Sequence, residues 1–164
     1  MSNRLMKKST EATSSIMVFP SDTNDYGTMY GGRLIEMMDM VGGICARRFS
    51  SHKAVTASIE DMQFNKPINR GDIIEFKSKV IYTGRTSMVV KTKVTREGYD
   101  EAKDICARAY FVFVAMDSNG KPTEVPTLEL VTEKEEKNNK IGAEIRKRQA
   151  LEEKRFEIEL NENL

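Results

Sequence analysis

Pro20-Ser21-Asp22-Thr23-Asn24-Asp25-Tyr26-Gly27-Thr28-Met29-Tyr30-Gly31-Gly32-Arg33-Leu34-Ile35-Glu36-Met37-Met38-Asp39 is the stretch on which the fold turns. Its first half is dense in Asp, Thr, Asn and Gly, residues that satisfy backbone groups locally in turns. From Gly31 the period becomes helical: Leu34, Met38, Val41, Cys45 and Phe49 recur at spacings of three and four, with Ile35, Gly42 and Ala46 beside them. Roughly eighteen residues at about 1.5 Å each predict a helix about 27 Å long. Gly42-Gly43 in its middle costs on the order of 1 kcal/mol per glycine relative to alanine, which implies that another backbone or a ligand comes close there.

Downstream of His52 the period changes to two. Val55, Ala57 and Ile59 alternate with Thr56, Ser58 and Glu60, after which Met62 and Phe64 carry the apolar face. That change of phase predicts a β-bulge near Glu60-Asp61. Asn69-Arg70-Gly71-Asp72 turns into a strand with Ile74, Phe76, Val80 and Tyr82 on one face and Glu75, Lys77 and Lys79 on the other. Thr83-Gly84-Arg85-Thr86 makes a tight connection to a strand in which Met88, Val90, Thr92 and Val94 oppose Lys91, Lys93 and Thr95. After a turn over Glu97 to Glu101, the last strand, Ile105 to Met116, is apolar on both faces apart from Arg108, as suits a central strand.

Upstream, residues 1–15 are polar and read as a loose arm, and Ser15 to Phe19 reads as a short strand stopped by Pro20. The order is a short strand, one long helix and four antiparallel strands: an α+β domain with the helix on one sheet face. The opposite face alternates with lysines yet keeps Ile73 and Val89, so a partner subunit is expected over part of it. From about Leu128 the chain reads as a charged helical tail, solvated or clamping a neighbouring subunit. Its weak Ile141/Ile145 stripe is too narrow to bury alone.

Composition narrows the function. Of 164 residues, 39% are hydrophobic and 31% charged, and a net charge of +1 gives no basic footprint for nucleic acid. Arg146-Lys147-Arg148, the best basic run, sits among glutamates. No run approaches the ~20 apolar residues of a membrane span, and the N-terminal residues lack the apolar stretch of a secretory signal. Cys45 and Cys106 read as reduced core thiols of a cytoplasmic protein. One histidine, His52, and no Cys/His cluster make a transition-metal site and a Ser-His-Asp hydrolase improbable. No phosphate-binding P-loop or dinucleotide fingerprint is present.

Three features carry chemistry. Asp39 falls at the edge of the helix's apolar arc, beside Ile35, Gly42 and Ala46. A carboxylate there needs a partner, a raised pKa or a cleft; the alternative is an exposed acid at a sheet–helix boundary. The helix start at Gly31-Gly32 offers free N–H groups and the positive end of the dipole to a developing oxyanion, with Asn24 as a further donor or water holder, though all three also suit a simple turn. Gly84-Arg85-Thr86-Ser87 can take a phosphate through backbone N–H groups and a guanidinium.

Together these residues resemble the hotdog-fold acyl-CoA thioesterases, specifically the bacterial cytosolic acyl-CoA hydrolases related to brain acyl-CoA hydrolase. The matching residues are Asp22 to Gly27, Gly31-Gly32, Met38-Asp39, Val55 to Ser58, Phe64 to Ile68, Gly71-Asp72, Gly84 to Met88 and Phe113 to Asp117. The resemblance implies a hotdog fold, with an antiparallel sheet wrapped around one long central helix and a charged C-terminal helical tail. The corresponding divisions are a polar arm at 1–11, the hydrolase domain at 12–127 and the tail at 128–164.

It further implies dimers with a continuous sheet, often trimers of such dimers, and an active site shared between Asn24 of one subunit and Asp39 of another. The activity implied is hydrolysis of medium- to long-chain fatty acyl-CoA thioesters to fatty acid and CoA. No metal or cofactor is required, and coenzyme A enters only as product or ligand. Asp39 acts as general base or nucleophile; Gly31, Gly32, Thr56 and Ser58 lie near the thioester; Gly84, Arg85, Thr86 and Ser87 hold CoA; and methionines such as Met37 and Met38 adapt to the acyl chain. A non-catalytic acyl-CoA or nucleotide sensor on the same fold is the alternative. A dehydratase would need a histidine that His52 is too far along the chain to supply.

Overall fold

The structure is a computed structural model that describes residues 4–98 and 103–162. Its elements are β1 (Met6–Lys8), β2 (Glu11–Met17), a 3-10 turn at Pro20–Asp22, α1 (Gly31–Ser50), β3 (Lys53–Phe64), β4 (Ile73–Thr83), β5 (Ser87–Glu97), β6 (Lys103–Met116), β7 (Thr127–Glu129) and α2 (Glu133–Glu162). Five strands form one antiparallel sheet in the order β2-β4-β5-β6-β3, and β1 pairs in parallel with β7. β6 is thus an inner strand, as its double-sided apolarity implies.

α1 lies across the inner face. Met38, Cys45 and Phe49 are fully buried against Ile74, Phe76, Met88, Val90 and Phe111, each large side chain contributing about 1.5–3 kcal/mol. Gly42 answers the question its sequence posed, though with a side chain instead of a backbone: a Cβ there would stand 3.2 Å from the Phe113 ring. Beneath it Ser78 and Thr92 satisfy each other at 2.8 Å. Cys45 and Cys106 are free and buried, and burial pushes both thiols up.

The expected bulge is present: pairing slips between Glu60 and Gln63, and Asp61 takes a left-handed φ of 49°. Three further slips were not legible, one of them between Val94 and Thr95 where β5 pairs with β6. A second at Ala57 puts Thr56 opposite Phe113 and Ser58 opposite Val112. The third at Ile81 turns Tyr82, expected on the core face, towards α2.

Other expectations need correction. The first fifteen residues are no loose arm over their described part, since Met6–Lys8 and all of Glu11–Met17 are strand. The turn at Glu97 to Glu101 falls partly outside the described residues. The tail is a largely exposed helix with ion pairs, as expected, but its first half docks on the chain's own sheet. Thr132 and Glu135 form a reciprocal cap, with Glu135 N–H donating to Thr132 Oγ1 and Thr132 N–H to Glu135 Oε2. Beyond it α2 crosses the outer sheet face, burying Ile145 against Ile81, Val89 and Val112. The cover expected from a partner over Val89 is therefore the chain's own helix, whereas Ile73 stays 40% exposed.

Candidate active site

The loop before α1 is built around Asn24. Its side-chain oxygen accepts from the N–H groups of Tyr26 (3.0 Å) and Thr28 (3.2 Å) and from the Thr28 hydroxyl (3.1 Å). Two of those partners can only donate, so the oxygen end faces inward and the amide NH2 faces out. Among the described residues that NH2 has no acceptor. Asn24 is therefore a preset donor.

Asp22 ties the loop to the helix. One carboxylate oxygen accepts from Phe19 N–H at 3.0 Å and the other from Arg33 Nε at 3.0 Å. The Phe19 N–H first, and then the guanidinium, hold this carboxyl below its usual range. The chain enters α1 at Tyr30 without a side-chain cap, and the first main-chain N–H used by the helix is that of Leu34, donated to Tyr30. The N–H groups of Gly31 and Gly32 remain available at the positive end of the dipole. Gly31 also lets the chain pass the Phe64 ring, 3.3 Å from where a Cβ would stand. A cleft of about 330 Å3 opens there between Gly31, Leu34, Phe64, Pro67 and Ile68.

Asp39 lies two turns further on, about 12 Å along the axis from Gly31 at the rise of an α-helix. It is half-buried, and its Oδ1 accepts from the Thr56 hydroxyl at 2.6 Å. No contact joins it to Asn24. Thr56 belongs to β3, one of the two edge strands, so this pair stands where the sheet has no strand beyond it. Ser58, expected beside Thr56, is carried to the opposite face by the bulge at Ala57. Its hydroxyl is buried without a partner among the described residues. Met38, expected to adapt to an acyl chain, is fully buried core, while Met37 is only partly buried.

Gly84 to Ser87 forms the β4–β5 turn. Gly84 N–H donates to Ser87 O at 2.9 Å, and a Cβ on Gly84 would lie 2.6 Å from Ser87 Oγ and displace that hydroxyl. Sequence reading missed Asp22, whose signal was an acid eleven residues before an arginine across a turn. It also missed α2, where Arg146 Nε donates to Ser87 Oγ at 3.2 Å. Among the described residues no group of three His, Cys, Asp or Glu side chains is arranged to hold a metal ion, and no helix is long and apolar enough to cross a membrane.

A sheet closed over one long helix, with a donor loop at the helix start and a carboxylate at the free edge, defines a class that comparison with known proteins identifies. The thioesterase superfamily profile matches residues 26–103. An uncharacterized acyl-CoA thioester hydrolase of Bacillus subtilis is 37% identical over 129 residues, 78% of this chain and 75% of that protein. The acyl-CoA hydrolase of Staphylococcus aureus, solved with butyryl coenzyme A, coenzyme A and coenzyme A disulfide, superposes with a TM-score of 0.87 at 32% identity, covering 95% of this chain and 99% of that one. That hydrolase has also been solved as single alanine variants of an asparagine, an aspartate and a threonine. The hexameric thioesterase of Yersinia pestis superposes with a TM-score of 0.66 at 30% identity, over 72% of this chain and 97% of that one. The chain belongs to the thioesterase superfamily and, within it, to the acyl-CoA thioester hydrolases of hotdog fold.

Proposed function

We propose that the protein hydrolyses medium- to long-chain fatty acyl-CoA to fatty acid and CoA at sites shared between two subunits. The observation that carries this reading is the division of labour along residues 24–39: a donor at Asn24 before the helix and a carboxylate at Asp39 two turns into it, held by different partners with no contact between them. β3 supports it. Its outer edge is unpaired, and Val55 (47% exposed) and Ile59 (42%) lie uncovered on it. An edge with apolar side chains and no protecting proline is a template for another strand. A second copy pairing there in two-fold symmetry brings its own loop to Asp39. Spacing adds support. The three residues replaced by alanine in the Staphylococcus aureus hydrolase follow one another at intervals of fifteen and seventeen, the intervals separating Asn24, Asp39 and Thr56.

In the proposed step, Asn24 NH2 and the N–H groups of Gly31 and Gly32 hold the thioester oxygen as it gains negative charge. Thr56 fixes one oxygen of Asp39, leaving the other to take a proton from water as the new C–O bond forms. Collapse breaks the C–S bond, and the proton passes from Asp39 to the departing CoA sulfur. The acyl chain lies in the apolar cleft by Leu34 and Phe64, which Met29 and Ile68 also line. Dimers, further assembled as trimers of dimers in the cytoplasm, complete the reading.

Release of thiol from palmitoyl-CoA tests it. Asp39→Ala is expected to lower kcat by about 10²–10⁴, the usual contribution of a positioned base, with the oligomer unchanged. Unchanged turnover in that variant contradicts the mechanism.

A further inference from the structure

α2 reaches the β4–β5 turn because of one glycine. A Cβ at Gly142 would stand 2.4 Å from the Cβ of Tyr82, so the helix backbone lies against β4 at a distance that only glycine permits. One turn later Arg146 meets Ser87, and Arg146 and Lys147 line a cleft of about 420 Å3 together with Arg85 and Thr86. No carboxylate lines this cleft. The next residue, Arg148, pairs with Asp61 at 2.8 Å, but Arg85, Arg146 and Lys147 have no ion-pair partner among the described residues.

The turn itself is polarised the same way. The carbonyls of Arg85 and Thr86 are taken by the N–H groups of Val125 (3.0 Å) and Ala115 (2.9 Å), and the carbonyl of Gly84 by Arg4. The N–H groups of Arg85 and Thr86 have no acceptor among the described residues. Ser87 Oγ accepts from Arg146, which leaves its own hydrogen to donate. Three cations and a ring of unused donors converge where nothing carries negative charge, an arrangement that repels itself until an anion enters. Guanidinium groups suit phosphate oxygens, and Tyr82 and Ala150 give the same cleft an apolar wall.

We infer that α2 is part of the substrate site: Arg146 and Lys147 join Arg85 and the turn N–H groups in binding the phosphate-bearing nucleotide end of acyl-CoA. The inference rests on the acyl-CoA reading above and adds the tail helix to it. Hydrolysis then selects for the CoA carrier, as distinct from the thioester alone, through residues on the far side of the sheet from Asp39.

Titration calorimetry of the full chain with CoA, 3′-dephospho-CoA, ADP and pantetheine tests this, alongside kcat/KM for palmitoyl-CoA and palmitoyl-pantetheine. Losing charge-assisted hydrogen bonds in Arg146→Gln/Lys147→Gln is expected to raise the Kd for CoA about tenfold or more. The preference for palmitoyl-CoA over palmitoyl-pantetheine should fall by a similar factor, carried by KM. Arg146→Lys/Lys147→Arg should keep most of the affinity. Weakened 3′-dephospho-CoA binding in the Gln variant assigns the cations to the diphosphate; an effect confined to CoA assigns them to the 3′-phosphate. ADP binding that matches CoA in strength and in its loss points instead to a free-nucleotide site and overturns the inference. Unchanged CoA affinity in the Gln variant also overturns it, as does an equal loss on both thioesters. Calorimetry reads these outcomes even if no thiol is released, so failure of the hydrolytic reading is seen separately.

Discussion

The two helices pack on opposite faces of one sheet in different ways. α1 has eight of its twenty residues buried, five of them large or medium apolar side chains. α2 has thirty residues, of which only Gly142, Ile145 and Gln149 are buried. The first is held by volume, the second by one glycine, one isoleucine and a set of polar contacts: Lys79 Nζ to Glu135 at 3.1 Å, Asn139 Nδ2 to the carbonyl of Ile81 at 3.0 Å, and Arg148 to Asp61. An apolar helix advertises its docking in its period; a charged one conceals it in a few positions.

The candidate site fixes its donor, as α2 fixes itself, by polar contacts: three hydrogen bonds to the oxygen of Asn24. Replacing Asn24 by Ala should cost about 10²–10³ in kcat, as loss of an oxyanion donor does. Asn24→Asp should recover little of it, because the exposed end must donate. Steady-state thiol release checks both. Full activity in Asn24→Asp would refute the donor role.

Stability separates the layers next. Met38 and Ile145 are almost equally buried, at 0% and 2% exposure. Met38→Ala should cost about 2–5 kcal/mol and lower the whole unfolding transition, as core truncations do. Ile145→Ala should cost less and act locally, detectable as faster amide exchange along α2 with α1 still protected. Equal global losses would erase the distinction between the two layers.

The smallest effect concerns pH. Asp22 is held below the usual carboxylate range in the folded chain, so the stability it contributes is present above the unfolded carboxylate pKa and lost as pH falls through the folded one. The thermal advantage of the protein over Asp22→Asn should therefore shrink below about pH 4. An advantage that grew towards low pH would contradict the assigned hydrogen bonds.

α1, the inner place of β6 and the bulge at Asp61 were legible because their apolar residues keep, double or break a period. The slip at Ala57 was not, because Thr56, Ala57 and Ser58 are all small and no face changes hydropathy. Met6–Lys8 escaped because its strand exists only by pairing with β7, more than a hundred residues away. Docking of α2 left one signal, a glycine beside Ile141 at a spacing of four from Ile145, and a Thr-x-x-Glu cap at Thr132 to mark its start. Asn24 was visible as a residue, but which end of its amide faces out depends on three hydrogen bonds that only the folded loop makes.

In the proposed mechanism Asn24 and Asp39 serve one reaction from two chains, and subunit mixing tests this directly. Separately tagged Asn24→Ala and Asp39→Ala chains, each inactive, are unfolded, mixed in equal amounts and refolded. Half of the dimers are then hybrids, each with one doubly impaired site and one intact site, so about a quarter of wild-type thiol release should return. No recovery in hybrid dimers isolated by both tags would contradict the account, since it would mean that each chain carries its own complete site.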